Sequence, residues 1–311
     1  VTAAVDGAVG HRSGILLVDK PQSITSHDVV ARTRRLAATR KVGHAGTLDP
    51  MATGLLVLGL NSATRLLTYL VGLDKEYFAT IRLGAATNTD DAEGTEVSRA
   101  SGDAVAAITA ENLAEAIRPL TGEISQVPSS VSAIKVDGKR AYTLARAGES
   151  VELAARAVTV STFEVLGSRR DADFYDVDVR VECSSGTYIR ALARDLGATL
   201  NVGGHLTALR RTRIGPFSVA DAAQLETMNV ASALLDPALA AATLFPCYSL
   251  SAQEAIDLGH GKRLPIATPE LAACDGPIAA IEPGGRLAGL ISVSAGVAKP
   301  LVNFPKDEGA E

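Results

Sequence analysis

The chain has 311 residues, of which 47% are apolar and 21% charged, and a formal net charge of −5. That length admits a large core domain plus a smaller one, and the apolar share is that of a globular protein. No run approaches the roughly 18 to 20 apolar residues of a membrane helix and the first residues show no basic-then-apolar leader, so a cytoplasmic protein with no membrane partner is expected; its three cysteines, Cys183, Cys247 and Cys274, form no Cys-x-x-Cys pair, which argues against a disulfide framework or a zinc knuckle.

In chain order, residues 1–12 lack periodicity and read as a mobile tail. A short strand is predicted over 15–18. Thr25 and Asp28 have capping-box spacing and open a helix through about residue 38. A loop around Asp49 leads to a strand over 55–60, a short helix near 63–70 and a strand through 77–83. Thr109 opens, and Gly122 closes, an amphipathic helix over 111–120. Asp137-Gly138 is a turn signal that predicts a hairpin or ordered loop. The polar–apolar alternation over 174–181 predicts a strand with one wet face, which delivers Tyr188 and Arg190 to the start of a helix running to about residue 200. After Phe217 the texture is Ala-rich and helical, and from Phe245-Pro246 onward it breaks into short segments punctuated by Gly and Pro, with room for no more than a small β-rich module. Strands that recur without regular βαβ alternation predict an α+β fold with a mixed, mainly antiparallel central sheet. The expected divisions are a tail (1–12), a main domain (13–245) and a small C-terminal domain (246–311).

The net negative charge argues superficially against nucleic acid, yet the bases are clustered. Arg32, Arg34, Arg35, Arg40 and Lys41 form an acid-free group, Lys135, Lys139, Arg140 and Arg146 a second, and Arg210, Arg211 and Arg213 a third. Acidic residues gather elsewhere, as at Asp90, Asp91, Glu93, Glu96, Asp103, Glu111, Glu115 and Glu123. Three basic clusters on an otherwise acidic body suggest an RNA-binding groove.

The segment Gly43-His44-Ala45-Gly46-Thr47-Leu48-Asp49-Pro50-Met51-Ala52-Thr53 sets one carboxylate where regular structure is disfavoured. Gly43, Gly46 and Gly54 free the backbone, Pro50 removes an amide donor, and the apolar run Leu55-Leu56-Val57-Leu58 follows at once. A carboxylate on a loop anchored by a sheet can serve as nucleophile, base or metal ligand; Asp-Pro alone is more often a plain turn.

The longer string GHAGTLDPMATGLL resembles the signature of the TruB type of tRNA pseudouridine-55 synthase, with Asp49 at the position of that family's invariant Asp. Val18-Asp19-Lys20-Pro21 resembles its lysine-proline motif, and Lys75-Glu76-Tyr77 its basic-x-tyrosine segment. Leu83-Gly84 through Thr87, Thr89, Asp91 and Gly94 are similar to its threonine-aspartate loop, and the string from Ser132 through Lys139 and Arg140 to Tyr142 to its substrate-facing insertion. Ser185-Gly186-Thr187-Tyr188-Ile189-Arg190 and His205-Leu206-Thr207-Ala208-Leu209-Arg210-Arg211 complete a resemblance that covers residues 14–217. Leu258-Gly259-His260-Gly261-Lys262-Arg263-Leu264-Pro265 is similar to a segment of PUA-type RNA-binding domains.

The resemblance implies a pseudouridine-synthase fold over 13–245, a PUA-like RNA-binding domain over 246–311, and isomerisation of uridine 55 in the T-loop of tRNAs. That reaction breaks the C1′–N1 bond and rejoins C1′ to C5 with no change in formula, so neither cofactor nor metal is implied. A bacterial enzyme of this type acts on the T-arm as a monomer that requires no protein partner. Its carboxylate, here Asp49, can attack C6, attack C1′ or take a C2′ proton to give a glycal, and the sequence leaves these routes open. The resemblance makes Arg190 the guanidinium that partners the carboxylate, and Tyr77 the active-site tyrosine that stacks on the base and can handle the C5 proton. Tyr188 and Leu209 fall where the family lines its uracil pocket; plain packing explains either residue nearly as well. The target base is stacked in tRNA and must be flipped out; His44 is placed to fill the gap or touch the flipped nucleotide, and Lys20 to order the catalytic loop.

Two departures stand out. Ser23 occupies a position where the family commonly has Gly, which questions the loop geometry there, and Pro128-Ser129-Ser130-Val131 replaces a Pro-Pro-x-Tyr string, which suggests a reshaped insertion. Two other functions share the motif set: a guide-RNA-dependent synthase, disfavoured by the non-basic C-terminus from Lys306 to Glu311, and a tRNA-folding chaperone in which catalysis is secondary.

Overall fold

The computed structural model describes residues 9–129, 153–171, 173–266, 268, 271 and 273–307, with the backbone alone of residues 135–136 and 139–140. The expected tail before residue 9, the side chains of the second basic cluster, Ser130, Val131 and the rest of the expected insertion lie outside the described residues. Within it, the backbones of Lys135–Val136 and Lys139–Arg140 pair antiparallel, the hairpin alternative of the turn reading. The chain divides into two compact units, the first made of Val1–Asp49, Leu55–Val71 and Pro216–Glu311, the second of Pro50–Gly54 and Gly72–Gly215.

In the first unit the strand Gly14–Lys20 is buried along its whole length. It pairs in parallel with Ala223–Gln224 and antiparallel with Leu234–Leu235. The strand Val42–Ala45 runs antiparallel to the chain from Val57 to Leu60. The helix Ser26–Leu36 begins where the capping box predicts: the Thr25 hydroxyl accepts from the Asp28 amide, and the Asp28 carboxylate accepts from the Thr25 amide. Its Val29 and Val30 join Leu16, Val18, Leu56 and Leu58 in one apolar core. Residues from Cys247 to Asn303 build a five-stranded sheet in the order Cys247–Ser249, Ile278–Ile281, Leu287–Ser294, Val297–Asn303, Leu264–Pro265. This β-rich module has its own core, with Leu258 of the helix Ala252–Gly259 packed among Ile278, Ile291 and Ala298. The Asp307 carboxylate accepts from both the amide and the hydroxyl of Ser13, which fastens the end of the module to the start of the first strand.

The second unit is an antiparallel sheet in the order Gly204–Ile214, Lys75–Leu83, Phe174–Cys183, Arg156–Asp171, Gly122–Gln126. Thr53–Gly54 adds a parallel pairing to Arg210–Arg211. Mixed but mainly antiparallel pairing, with helices and a β-rich C-terminal module, is the α+β arrangement expected. Along Lys75–Leu83 buried and half-exposed residues alternate, so Tyr77, Ala79, Ile81 and Leu83 point to the core while Glu76, Phe78 and Arg82 face outward. The outward face carries charge pairs across and along its strands: Arg180 bonds Glu76 and Glu164 on the neighbouring strands and Glu182 on its own, and Arg82 bonds Asp171 and Asp176. The helix Ile189–Thr199 packs closely on the strand Gly204–Ile214, because a Cβ on Gly197 would lie 2.2 Å from the Gly203 carbonyl carbon and the Gly204 nitrogen. Among the described residues no helix is long and apolar enough to cross a membrane.

Candidate active site

In the first unit, the backbone of Leu48, the residue before Asp49, is gripped on both sides by one side chain. Ser26, 1% exposed at the first turn of its helix, accepts from the Leu48 amide at 2.9 Å and donates to the Leu48 carbonyl at 3.1 Å. Gly46 at φ +85° makes the turn that precedes it. Asp49 itself is half-buried and outside regular structure. A buried hydroxyl used as both donor and acceptor leaves the adjacent carboxylate little freedom, which suits a group that must meet a reacting atom.

Lys20 ends the first strand with no exposed surface, and its ammonium donates to the carbonyls of Pro21 at 2.9 Å and Ile24 at 2.7 Å. The loop of residues 21–24 therefore folds around a buried cation. Ser23 sits inside it at φ +69°. The left-handed conformation that a glycine would adopt freely is thus kept by serine, at a cost of about 1 kcal/mol. His44, on the strand Val42–Ala45 opposite Leu58, stands edge-on to His27 at 5.6 Å between ring centroids.

In the second unit, Tyr77 is 7% exposed and lies directly between Val181 and Arg211 on the neighbouring strands. Leu209, 8% exposed, lies opposite Ala79, two residues along on the same face. Two buried cations share this face. Arg211 is almost wholly buried, so the third basic cluster offers solvent only Arg210 and Arg213. Lys75 donates to the Leu73 carbonyl at 2.5 Å, and burial, with Arg211 adding repulsion, brings its pKa down to about 8.

Tyr188 is the N-cap of the helix Ile189–Thr199, and Arg190 is its second residue, buried. The Arg190 guanidinium donates to the Thr89 carbonyl at 2.8 Å and pairs with the Asp91 carboxylate at 3.3 Å. Asp91 is held in turn by the Thr89 hydroxyl at 2.6 Å and the Glu93 amide at 3.1 Å. One turn further on, Arg194 donates to the Val127 carbonyl at 2.7 Å and pairs with Asp90 at 3.4 Å. Burial above all pushes the Asp90 carboxyl upward from its ordinary value, against the pull of Arg194 and Arg190.

Three of the residues singled out from sequence, Lys20, His44 and Asp49, lie in the first unit, and Tyr77, Tyr188, Arg190 and Leu209 in the second. Sequence reasoning missed Ser26, Gln126, Arg194 and the Asp91 pairing. Arg194 could have been found, since four residues after Arg190 it shares a helix face; a lone Ser or Gln at an element end carries no such signal. Among the described residues no cluster of three metal-ligating side chains occurs.

Chains of this fold recur in solved structures. A chain of an H/ACA RNP bound to a substrate RNA containing 2′-deoxyuridine superposes with a TM-score of 0.68 at 22% identity, covering 95% of this chain and 86% of that one. A chain of an archaeal box H/ACA sRNP complex gives 0.67 at 22% identity, covering 99% and 90%. The chain belongs to the TruB family of pseudouridylate synthases, whose N-terminal domain model matches residues 34–189. Two C-terminal models, for tRNA pseudouridylate synthase B and for tRNA pseudouridine synthase II, match residues 190–247 and 245–305. The tRNA pseudouridine synthase B of Leifsonia xyli subsp. xyli is 62% identical over 97% of this chain and 99% of its own length. That of Arthrobacter sp. strain FB24 is 56% identical over 95% and 98%. The chain is accordingly an isomerase that makes pseudouridine.

Proposed function

We propose that this enzyme converts uridine 55 in the T-loop of tRNAs to pseudouridine, in the cytoplasm, as a monomer with no cofactor, metal or protein partner. The near-full-length identity to proteins named tRNA pseudouridine synthase B carries the reading. The uridine is flipped out of its stack, with His44 against the flipped nucleotide or in the space it vacates. Asp49 is the covalent catalyst, acting at C6, at C1′ or through a glycal. The C1′–N1 bond breaks, C1′ bonds to C5, the C5 proton departs and N1 gains one, so the balance needs no outside reagent. Arg190 orients the Asp49 carboxylate, and Tyr77 stacks on the base and handles the C5 proton. Tyr188 and Leu209 line the uracil pocket, and Lys20 helps to order the catalytic loop. The grip of Ser26 on Leu48 and the burial of Arg190 and Tyr77 support rigid placement of these groups.

Asp49→Asn tests the proposal, because it removes charge and nucleophilicity at nearly constant shape. Tritium release from C5 of a labelled T-loop uridine should fall by several orders of magnitude while tRNA affinity stays near the parental value. Near-normal release would remove Asp49 from the mechanism. A parent protein that binds unmodified tRNA but releases no tritium would point to the chaperone function instead.

A further inference from the structure

The helix that carries Arg190 begins without a side-chain cap of its own: Tyr188 is extended at φ −102°, ψ 107°, and contributes no capping hydrogen bond. A helix entrance in that state needs outside partners for its first polar groups. Gln126 supplies them at Tyr188. Its side-chain oxygen accepts from the Tyr188 amide at 2.8 Å, and its side-chain nitrogen donates to the Tyr188 carbonyl at 3.1 Å. The same carbonyl accepts the first helical bond, from the Leu192 amide at 3.2 Å.

We propose that Gln126 is a positioning residue for the synthase reaction, its amide locking the entrance of the helix Ile189–Thr199 and thereby setting the Arg190 guanidinium. The inference rests on the role given to Arg190 above. Gln126 is 2% exposed at the end of the strand Gly122–Gln126, which is itself paired to Arg156–Val160. A buried amide with both ends engaged cannot turn or slide without leaving a polar group unsatisfied, so it acts as a rigid two-point clamp. The clamp sits two residues from Arg190, whose far end is fixed by the Thr89 carbonyl and Asp91. Arg194 repeats the lacing one turn on, tying the Val127 carbonyl next to Gln126, and Asp90 next to Asp91, to the same helix. The clamp touches neither base nor phosphate in the reading above. Its loss therefore misplaces the guanidinium, and Tyr188 of the uracil pocket with it, without removing a phosphate contact; because phosphate contacts dominate affinity for RNA, misplacement of that kind lowers the chemical step rather than binding.

Two variants of the full-length enzyme test this. Gln126→Met removes both polar arms at similar volume; Gln126→Glu keeps the acceptor and sets a carboxylate against the Tyr188 carbonyl. Each should slow single-turnover pseudouridine formation about tenfold or more, the scale of one or two lost buried hydrogen bonds, while the dissociation constant for an unmodified tRNA transcript changes less than about twofold. Combined with Arg190→Lys, Gln126→Met should add little further loss, because both act through one guanidinium. Parental rates in the Gln126 variants, losses that multiply in the double variant, or affinity that falls as far as the rate would each overturn the inference. If Gln126→Met fails to fold in a thermal melt, Gln126→Glu alone decides by the same rate and affinity measures. An Arg190→Lys enzyme with parental turnover would instead overturn the role of Arg190, and the inference with it; slow Arg190→Lys beside parental Gln126 variants would overturn the inference alone.

Discussion

Arg190 and Lys75, both buried in the second unit, make different demands on the fold. Arg190 meets a carboxylate and a carbonyl with a planar fork, and lysine offers only a point charge on a flexible stem. Arg190→Lys should therefore cut single-turnover rate at least tenfold with little change in tRNA affinity; equal losses in both would make Arg190 a phosphate contact instead. Lys75 carries the opposite burden, since its pKa is brought down to about 8 by burial and by Arg211. Between that value and the ordinary lysine value of about 10.5 the unfolded chain binds the proton that the folded chain has released, so the contribution of Lys75 to stability rises with pH across this window. Below about pH 8 the full cost of burying the charge is present, on the order of 3 kcal/mol. Lys75→Met should abolish the rise. Denaturant midpoints of parent and variant at pH 7.5 and 10 (about one point on each side of the folded pKa) would show converging stabilities if this is right, and a constant difference if it is wrong.

At the scale of elements, close backbone approach sets the tolerance. Gly54 has φ +100° and a Cβ there would fall 2.2 Å from the Arg211 carbonyl oxygen; Gly197 is as tight against Gly203 and Gly204. Alanine at either position must push strands or a helix apart and should cost at least 2 kcal/mol, whereas Gly102, with nothing within 4 Å of its Cβ position, should accept alanine without loss. Thermal or denaturant unfolding of the three variants checks the ordering. The sequence made some of these elements plain and hid others for a physical reason. Thr25–Asp28 and the alternation over 174–181 announced the helix Ser26–Leu36 and the strand Phe174–Cys183, since capping and a single buried face write directly into residue order. The strand Arg156–Asp171 was not foreseen: register shifts between Val160 and Thr162 and between Val165 and Gly167 twice reverse its period-two pattern. The strand Gly204–Ile214 has two shifts of its own and turns Arg211 inward, so it too lacks a clean apolar face. In the candidate site, motif positions were legible because their strings are long, but the supports Ser26 and Gln126 act through backbone contacts that no local pattern encodes.

For the whole molecule, a net charge of −5 is a poor guide to RNA affinity because the charges are not equally available. On the outward face of the second unit, Arg82, Arg169 and Arg180 are each bonded to two or more carboxylates, which neutralise them locally. In the first unit, Arg34, Arg35, Arg40 and Lys41 are exposed, and no acidic residue interrupts the chain between Asp28 and Asp49. Counterion release from RNA rewards only cations that reach phosphates, and each such contact adds roughly 0.7 to 0.9 to the slope of log affinity against log salt. The parent enzyme should therefore lose tRNA affinity steeply as salt rises. Replacing Arg35, Arg40 and Lys41 together by alanine should lower that slope by about 2 if all three contact phosphate, and slow no step after binding. Arg169→Ala, which removes the same kind of charge from a paired site, should leave the slope unchanged. Filter-binding isotherms at several salt concentrations, run beside single-turnover tritium release at saturating enzyme, separate the two effects. A flat salt response in the parent, or equal slopes in the parent and the triple variant, would show that the exposed cluster on this segment is a solvated face rather than part of the RNA surface.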